Sequence, residues 1–247
     1  MYAVLFIAGV GAGIVGYLVG LASLVSYPAL VAVGIPPVLA NTSNTVGLIG
    51  SGIGSLAGSW KQLRAIKTYS LAIQVVVAIV GGLAGGLLLV VADPGVFEAV
   101  VPWLVLSGAL LVAFSPHINR LRDRAERRRY LKFWAYLIPF TLVAIYVGYF
   151  GAGGAVMYMA LAVLGTTMTI HEAVVMKTPL MFAANTAAAI LFIARGDVDW
   201  PAALVIGAGN FVGGYAGPFI QRFFSETLMR RLVVLGGIVM TVWLLVR

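Results

Sequence analysis

The sequence predicts an all-α fold: a polytopic transmembrane helical bundle of two related repeats, each with four to five helices and a broken or re-entrant first segment. Three observations predict it. Of the 247 residues, 62% are hydrophobic and 10% are charged, and the mean hydropathy is +1.04. A soluble domain carries about 25% charged residues, so this composition cannot cover a water-exposed surface. Long apolar stretches recur along the chain, and two motifs repeat at one offset.

Apolar stretches give the expected membrane spans, because a transmembrane helix needs about 20 mainly apolar residues. The stretches that meet this need are 2–20, 37–59, 68–92, 97–115, 135–150, 173–194, 201–221 and 229–246. Two shorter pieces, 21–34 and 151–165, cannot cross a bilayer alone and fit broken or re-entrant helices. Gly20 precedes the first piece and a glycine-rich run at 151–154 begins the second, where a missing side chain permits a chain break.

Two pairs of motifs indicate an internal duplication. Val-Gly-Tyr at 15–17 recurs at 147–149, and Val-Gly-Gly-x-Ala-Gly at 80–85 recurs at 212–217, both at an offset of 132 residues. A shared offset is less expected by chance than either match alone, and internal repeats are common in secondary transporters. We therefore expect two transmembrane repeats.

The repeats are expected at 1–115 and 133–247, joined by a basic linker at 116–132. Residues 120–132 hold seven Lys and Arg against two acids, which is +5 of the net charge of +8. Basic loops beside membrane spans mark the cytoplasmic side. The chain is therefore predicted to be a multi-pass protein of the cytoplasmic (inner) membrane with a cytoplasmic linker. Contact of the linker with membrane lipid is compatible with its charge, and no nucleic acid partner is expected.

The loop charges favour inverted over parallel repeats, although both remain open. Residues 60–67 carry three bases and no acid, whereas the equivalent loop at 195–200 carries Arg195 against Asp197 and Asp199. Because Lys and Arg accumulate on the cytoplasmic side, this reversal favours equivalent loops on opposite sides of the membrane.

The composition removes most enzyme classes. The chain has no cysteine and two histidines, His117 and His171, so it lacks the parts of zinc fingers, disulfide scaffolds and cysteine nucleophiles. We expect no catalytic residue, no metal and no cofactor. An intramembrane serine hydrolase using Ser51 is the weakest alternative, because no third orienting group is apparent. The sequence has no ATP-binding motif, so active transport would use a gradient or a partner.

Lys177 lies one to two turns into the helix expected to begin near Thr169. A basic residue inside a span is costly and by default indicates a functional site, here a counter-charge for an anion. The alternative is a lysine whose side chain extends to a nearby membrane surface. His171 and Glu172 are candidates for proton coupling, but Thr169 and Glu172 also fit a capping box, which is the favoured interpretation.

Asn41-Thr42-Ser43-Asn44-Thr45 is the most polar run inside a predicted span. These side chains need partners, which are either neighbouring helices or a hydrated substrate path. Helices broken near the midplane offer free amides and a positive dipole end to an anion. The predicted substrate-binding residues are Ser23, Asn41, Thr42, Ser43, Asn44, Gly151, Gly153, Gly154, Lys177 and Asn185.

A family resemblance follows from these motifs. Gly148-Tyr149-Phe150-Gly151-Ala152-Gly153-Gly154, followed by Gly165, Ala173 and Lys177, resembles the second-half motif of the TauE/SafE sulfite exporter family. Gly16, Gly20, Pro28, Leu30, Gly34, Pro36, Ala40, Thr42 and Ser43 resemble its first half. The resemblance covers essentially the whole chain. One departure is Leu21-Ala22-Ser23-Leu24, where the family usually has a glycine cluster.

The resemblance implies secondary transport of sulfite or a small organosulfur anion, such as an organosulfonate or thiosulfate, without a bound cofactor. The predicted function is therefore an alternating-access transporter, not an enzyme, in which the two repeats move around an anion. A small-anion channel is the main alternative. A homo-oligomer is compatible with the sequence, which does not determine it.

Overall fold

The computed structural model describes residues 1–66, 70–123, 131–166 and 168–220, together with individual positions between 231 and 246. These residues confirm the predicted all-α bundle. The described helices are α1 (Tyr2–Val19), α2 (Ser23–Ala32), α3 (Pro37–Ala65), α4 (Leu71–Val91), α5 (Pro94–Asp123), α6 (Phe133–Tyr149), α7 (Gly154–Gly165), α8 (Ile170–Arg195) and α9 (Trp200–Ile220).

Three of the described helices are long and apolar enough to cross a membrane: Leu71–Val91, Glu172–Arg195 and Trp200–Ile220. They correspond to the expected spans 68–92, 173–194 and 201–221. Helix α3 is longer, with 29 residues, but its polar side chains lower its hydropathy. Much of the expected span at 229–246 lies outside the described residues.

Both predicted chain breaks are present. Helix α1 ends at Gly20, whose φ of 83° lies in the left-handed region, and α2 begins at Ser23. The break between α6 and α7 holds two such residues, Gly151 at φ 80° and Gly153 at φ 82°. Left-handed φ angles are accessible to glycine because it has no Cβ. The glycines therefore end one helix and let the next begin in a new direction.

Glycine seams hold α9 directly against α1 and α3. A Cβ added to Gly9 or Gly13 of α1 would collide with the backbone of α9, at Ile206 and Asn210 respectively. These contacts advance by one turn on both helices, so α1 and α9 run in the same direction. Small residues at helical spacing allow such close backbone approach inside a membrane.

Helix α3 meets α9 in the same way. A Cβ on Gly50 would strike the carbonyl oxygen of Gly207, and one on Gly54 would strike that of Phe211. The contacts again advance together, so α3 and α9 are also parallel. Helices α1, α3 and α9 thus form one group that shares a direction.

A second group consists of α4, α6 and α8. A Cβ on Gly82 of α4 would lie 2.8 Å from the Cα of Ala184 of α8, and one on Gly86 would lie 3.1 Å from the Cα of Ala188. On the other side of α4, Gly81 faces Ala144 of α6. The seam contacts between α4 and α8 advance in register, so these two helices are parallel.

Two glycines of α1 give a matched stability test. We expect Gly13→Ala to lower stability by about 1–3 kcal/mol, the usual cost of overpacking, because its Cβ would meet Asn210 and Gly214 backbone atoms. Gly11→Ala is the control, since the nearest atom to its Cβ is Val25 Cγ1 at 3.9 Å. The measurement is the thermal midpoint in detergent. Equal thermal midpoints for the two variants would contradict the close backbone packing of α1 against α9.

Candidate functional site

A cavity of about 80 Å³ lies where the two chain breaks meet. One buried water needs about 10–15 Å³ by the same measure, so the cavity has room for a small solute. Gly20 and Ser23 border it from the first break, and Gly151 and Ala155 border it from the second. A Cβ on Gly20 would lie 2.7 Å from Ala155 Cβ. The two breaks are therefore in direct contact.

The beginnings of α2 and α7 both face this cavity. The helix dipole places partial positive charge at the start of a helix. Several of the first N–H groups here donate to carbonyls of the preceding turns, namely those of Leu24, Val25, Gly154 and Val156. Ser23 is the first residue of α2, and Ala155 is the second residue of α7. Both residues line the cavity. Two positive helix ends thus border the same space.

Lys177 lies at the wall of the cavity and is 3% exposed. Its Nζ donates to the carbonyl oxygen of Gly16 at 3.1 Å and to that of Tyr17 at 2.6 Å. These carbonyls belong to the last turn of α1, where partial negative charge collects. The ammonium group ends inside the bundle rather than at its surface, and it caps the broken helix.

Lys177 forms no ion pair with the described residues. Within that part of the chain, the ion pair present joins Arg195 to Asp197 at 3.8 Å, and both side chains are more than half exposed. An ammonium group has three donors, and two of those of Lys177 go to carbonyls. A buried charge without a counter-charge is costly, so this wall of the cavity favours an anion.

Asn41 makes a second cap of the same kind. Its Nδ2 donates to the carbonyl oxygen of Tyr149 at 3.0 Å, and Tyr149 is the last residue of α6. Tyr17 and Tyr149 are the corresponding residues of the repeated Val-Gly-Tyr motif. Each interrupted helix therefore receives a donor, Asn41 or Lys177, from the long helix of the other half of the chain.

The polar run on α3 lies outside the cavity lining. Asn41 is bonded to Tyr149, as described above. Thr42 Oγ1 donates to the carbonyl oxygen of Leu39 at 3.0 Å. Ser43 Oγ accepts from the backbone N–H of Asp199 at 2.8 Å. Asn44 bonds to Ser23. These residues thus pair with protein groups rather than line the cavity: Asn41, Ser43 and Asn44 bond to other segments, whereas Thr42 bonds within α3.

Four of the predicted substrate-binding residues line the cavity, namely Ser23, Gly151, Lys177 and Asn185. Six do not, namely Asn41, Thr42, Ser43, Asn44, Gly153 and Gly154. The reason is that hydrogen-bonding capacity in the sequence does not specify whether a helix face meets a cavity or another helix. Gly153 and Gly154 instead shape the turn: Gly153 caps the start of α7.

Ser51 and Ser55 line the cavity but were not among the predicted binding residues. They stand four residues apart on α3, and so lie on one helix face. Leu48, at the start of the same face, is also at the cavity wall. This spacing is the signal that would have found them, although it is obscured by the glycines that intervene.

The predicted capping box at the start of α8 is confirmed. Glu172 Oε2 accepts from the Thr169 N–H at 2.8 Å, and Thr169 Oγ1 accepts from the Glu172 N–H at 3.2 Å. Glu172 does not line the cavity. The side chain of His171 lies outside the described residues. Proton coupling through either residue stays a prediction.

Comparison with known proteins supplies the family. The family model described as sulfite exporter TauE/SafE matches residues 5–244. The chain belongs to the TauE/SafE sulfite exporter family. The resemblance carried by the glycine motifs is thereby confirmed, and the chain is a multi-pass membrane transporter of this family. No solved structure matches it.

Relatives in this family match almost end to end. A probable membrane transporter protein of Haemophilus influenzae is 29% identical over 244 residues, covering 98% of this chain and 93% of the relative. The probable membrane transporter protein YfcA of Escherichia coli is 28% identical over 250 residues, covering 98% and 88%. A probable membrane transporter protein of a Sinorhizobium species is 26% identical, covering 99% and 92%.

The cap on α6 gives a stability prediction. We expect Asn41→Leu to destabilise the protein by about 1–3 kcal/mol, because it leaves the partly buried carbonyl of Tyr149 without its donor. Thr45→Val is the matched control, since the bond of Thr45 Oγ1 within the described residues goes to the Asn41 carbonyl one turn earlier on the same helix. Thermal midpoints in detergent are the measurement. A control as unstable as Asn41→Leu would contradict a specific cap.

Proposed function

We propose that this transporter moves a small sulfur-containing anion, sulfite or an organosulfonate or thiosulfate, across the cytoplasmic membrane. The observation that carries the proposal is Lys177, a buried cation at a cavity wall with two carbonyl partners and no carboxylate partner among the described residues. An anion in the cavity would supply the missing negative charge. The family description supports a sulfur oxyanion as the solute.

The cavity has further donors for such an anion. Ser23 and Ser51 contribute hydroxyl groups, and Asn185 contributes an amide. The hydroxyl of Ser55, also at the cavity wall, donates to the carbonyl oxygen of Gly214 at 3.5 Å. The starts of α2 and α7 contribute partial positive charge, which stabilises anions at helix N-termini. A tetrahedral or pyramidal oxyanion presents several acceptor oxygens and would use donors that converge from different helices.

We infer that the two repeats are inverted and operate by alternating access. Ser43 of α3 bonds to Asp199, just beyond the end of α8, whereas Gly52 of α3 faces Phe182, near the middle of α8. Advancing along α3 therefore means going back along α8, so these equivalent helices are antiparallel. In inverted-repeat transporters, relative motion of the two halves exposes a central site to each side in turn.

We further propose that the basic linker lies in the cytoplasm, as its charge favours. Helix α5 continues to Asp123, so the start of the linker prolongs a helix of the first repeat. Residues 124–130 of the linker lie outside the described part of the chain.

The decisive test is sulfite binding to Lys177→Met. We expect an affinity loss of about tenfold or more, the usual size of a hydrogen bond to a charged group. Met keeps the apolar stem of the side chain. Lys61→Met is the control, because Lys61 is an exposed lysine on α3. Titration calorimetry on detergent-purified protein gives the affinities, and a folded Lys177→Met that binds sulfite normally would remove Lys177 from the site.

Flux measurements separate a carrier from a channel. In proteoliposomes we expect sulfite uptake to saturate with concentration, since alternating access moves one solute per conformational cycle. The Lys177→Met variant serves as the comparison. Uptake that rises linearly at far higher throughput would favour the small-anion channel instead.

A further inference from the structure

Phe182 places an aromatic ring at the cavity wall among polar neighbours. Thr178, Phe182 and Asn185 all line the cavity. Their spacing along α8 is that of successive helical turns, so they lie on one face of this helix. The ring therefore shares its helix face with a hydroxyl and an amide, and it limits the space that these two groups border.

Gly52 of α3 receives this ring. The three atoms nearest to a Cβ added to Gly52 all belong to the Phe182 side chain, with Cδ2 at 2.3 Å and Cβ and Cγ at 3.0 Å each. Carbon atoms in contact lie about 3.5–4.0 Å apart, so a methyl group at this position and the ring could not both be in place. Part of the ring thus occupies the space that a side chain at position 52 would need.

The contact at Gly52 differs from the glycine contacts that hold the helices together. A Cβ on Gly50 or Gly54 would first meet a backbone carbonyl oxygen of α9. At Gly52 the nearest atoms belong to a side chain, which can turn about its own bonds without moving its helix. Gly52 also lines the cavity, whereas Gly50 and Gly54 do not. A change at Gly52 therefore acts on the cavity wall.

This pair is present in one half of the chain. The offset of 132 residues between the repeated motifs aligns Phe182 with Gly50, and Gly52 with Ala184. The equivalent positions of the other half thus hold small residues and no ring. The duplicated backbone plan can be built without an aromatic ring at this place, so the ring is a feature of the cavity wall rather than of the repeat.

We propose that Gly52 and Phe182 are specificity-determining residues that together set the length of the anion accepted by the cavity. The inference rests on the proposed function, in which Lys177 binds the charged end of the solute. An uncharged tail then shares the remaining space with the ring of Phe182. Because Gly52 has no side chain, the ring can lie back against α3, and the space beside it is left to the tail.

Alkanesulfonates with one common head group test the pair by titration calorimetry on the full chain in detergent. The readout is the affinity for propanesulfonate divided by the affinity for methanesulfonate. Gly52→Ala should lower this ratio about tenfold, because its methyl group pushes the ring into the space of the tail, and a misfit of one methylene costs about tenfold or more. Phe182→Ala should raise the ratio by a similar factor, since it removes the ring.

A double-mutant cycle shows whether the glycine acts through the ring. Gly52→Ala should leave the affinity ratio unchanged once Phe182→Ala is present, because the added methyl group then has no ring to displace. The same loss in both backgrounds would overturn the proposal. An unchanged ratio in Gly52→Ala alone would overturn it as well, since the ring would then have turned away from the cavity.

Gly54→Ala is the matched control on the same helix. Its Cβ would lie 2.3 Å from the carbonyl oxygen of Phe211, as close as that of Gly52 to the ring, but Gly54 does not line the cavity. We expect a lower thermal midpoint and an unchanged affinity ratio. A ratio that falls as far as in Gly52→Ala would mean that helix packing, and not the ring, sets solute length.

Phe182→Leu keeps the test decisive if Gly52→Ala does not fold. Leucine shortens the side chain without crowding Gly52, so the affinity ratio should rise in this variant alone. A folded Phe182→Leu with the ratio of the parent protein would contradict the proposal.

Sulfite binding separates this inference from the proposed function. If neither the parent protein nor Phe182→Ala binds sulfite or methanesulfonate, the anion site itself is wrong. If the parent protein binds sulfite alone, Phe182→Ala should gain binding of methanesulfonate, and no gain would overturn the role of the pair. If the parent protein binds all three anions and the ratio responds to neither substitution, the anion site stands and the role of the pair falls.

Discussion

The structure depends on the need to pair backbone groups where helices stop inside a membrane-spanning bundle. Lipid offers no hydrogen-bond partner to a free carbonyl or amide, so an interrupted helix is stable only when other parts of the protein supply partners. At the end of α1 the partner is the Lys177 ammonium group, and at the end of α6 it is the Asn41 amide. Three carbonyls at the negative ends of these helices, those of Gly16, Tyr17 and Tyr149, are paired in this way. The positive ends that follow border the cavity.

These two caps connect the halves of the chain. Lys177 belongs to α8 and reaches α1, while Asn41 belongs to α3 and reaches α6. The partner is in each case a tyrosine carbonyl of the repeated motif. The donors differ chemically, because one carries a charge and the other does not. The two caps are therefore chemically different, and the formal positive charge at the cavity wall comes from α8.

Much of this arrangement was predictable from local sequence. The breaks follow from glycine at 20 and at 151–154, because left-handed backbone favours glycine. The capping box at Thr169 follows from a spacing of three residues. The partners of the polar run 41–45 were not predictable, since they depend on which helices α3 contacts. The same holds for Lys177: its depth is visible in the sequence, but the carbonyls that it caps are defined only by how α8 crosses α1.

In the proposed anion site, Lys177 would bind both the end of α1 and the solute, and this double role would narrow the ways in which substrate preference can change over evolutionary time. Replacing that lysine would disturb the end of α1 as well as the binding of the solute. Solute selectivity would therefore change with less loss of stability through neighbouring side chains that bond to no backbone group. Met181 and Phe182 are such neighbours, both on the cavity wall and one turn beyond the lysine. Diversification among related carriers would then concentrate on the bulk of these apolar side chains, leaving the cation in place.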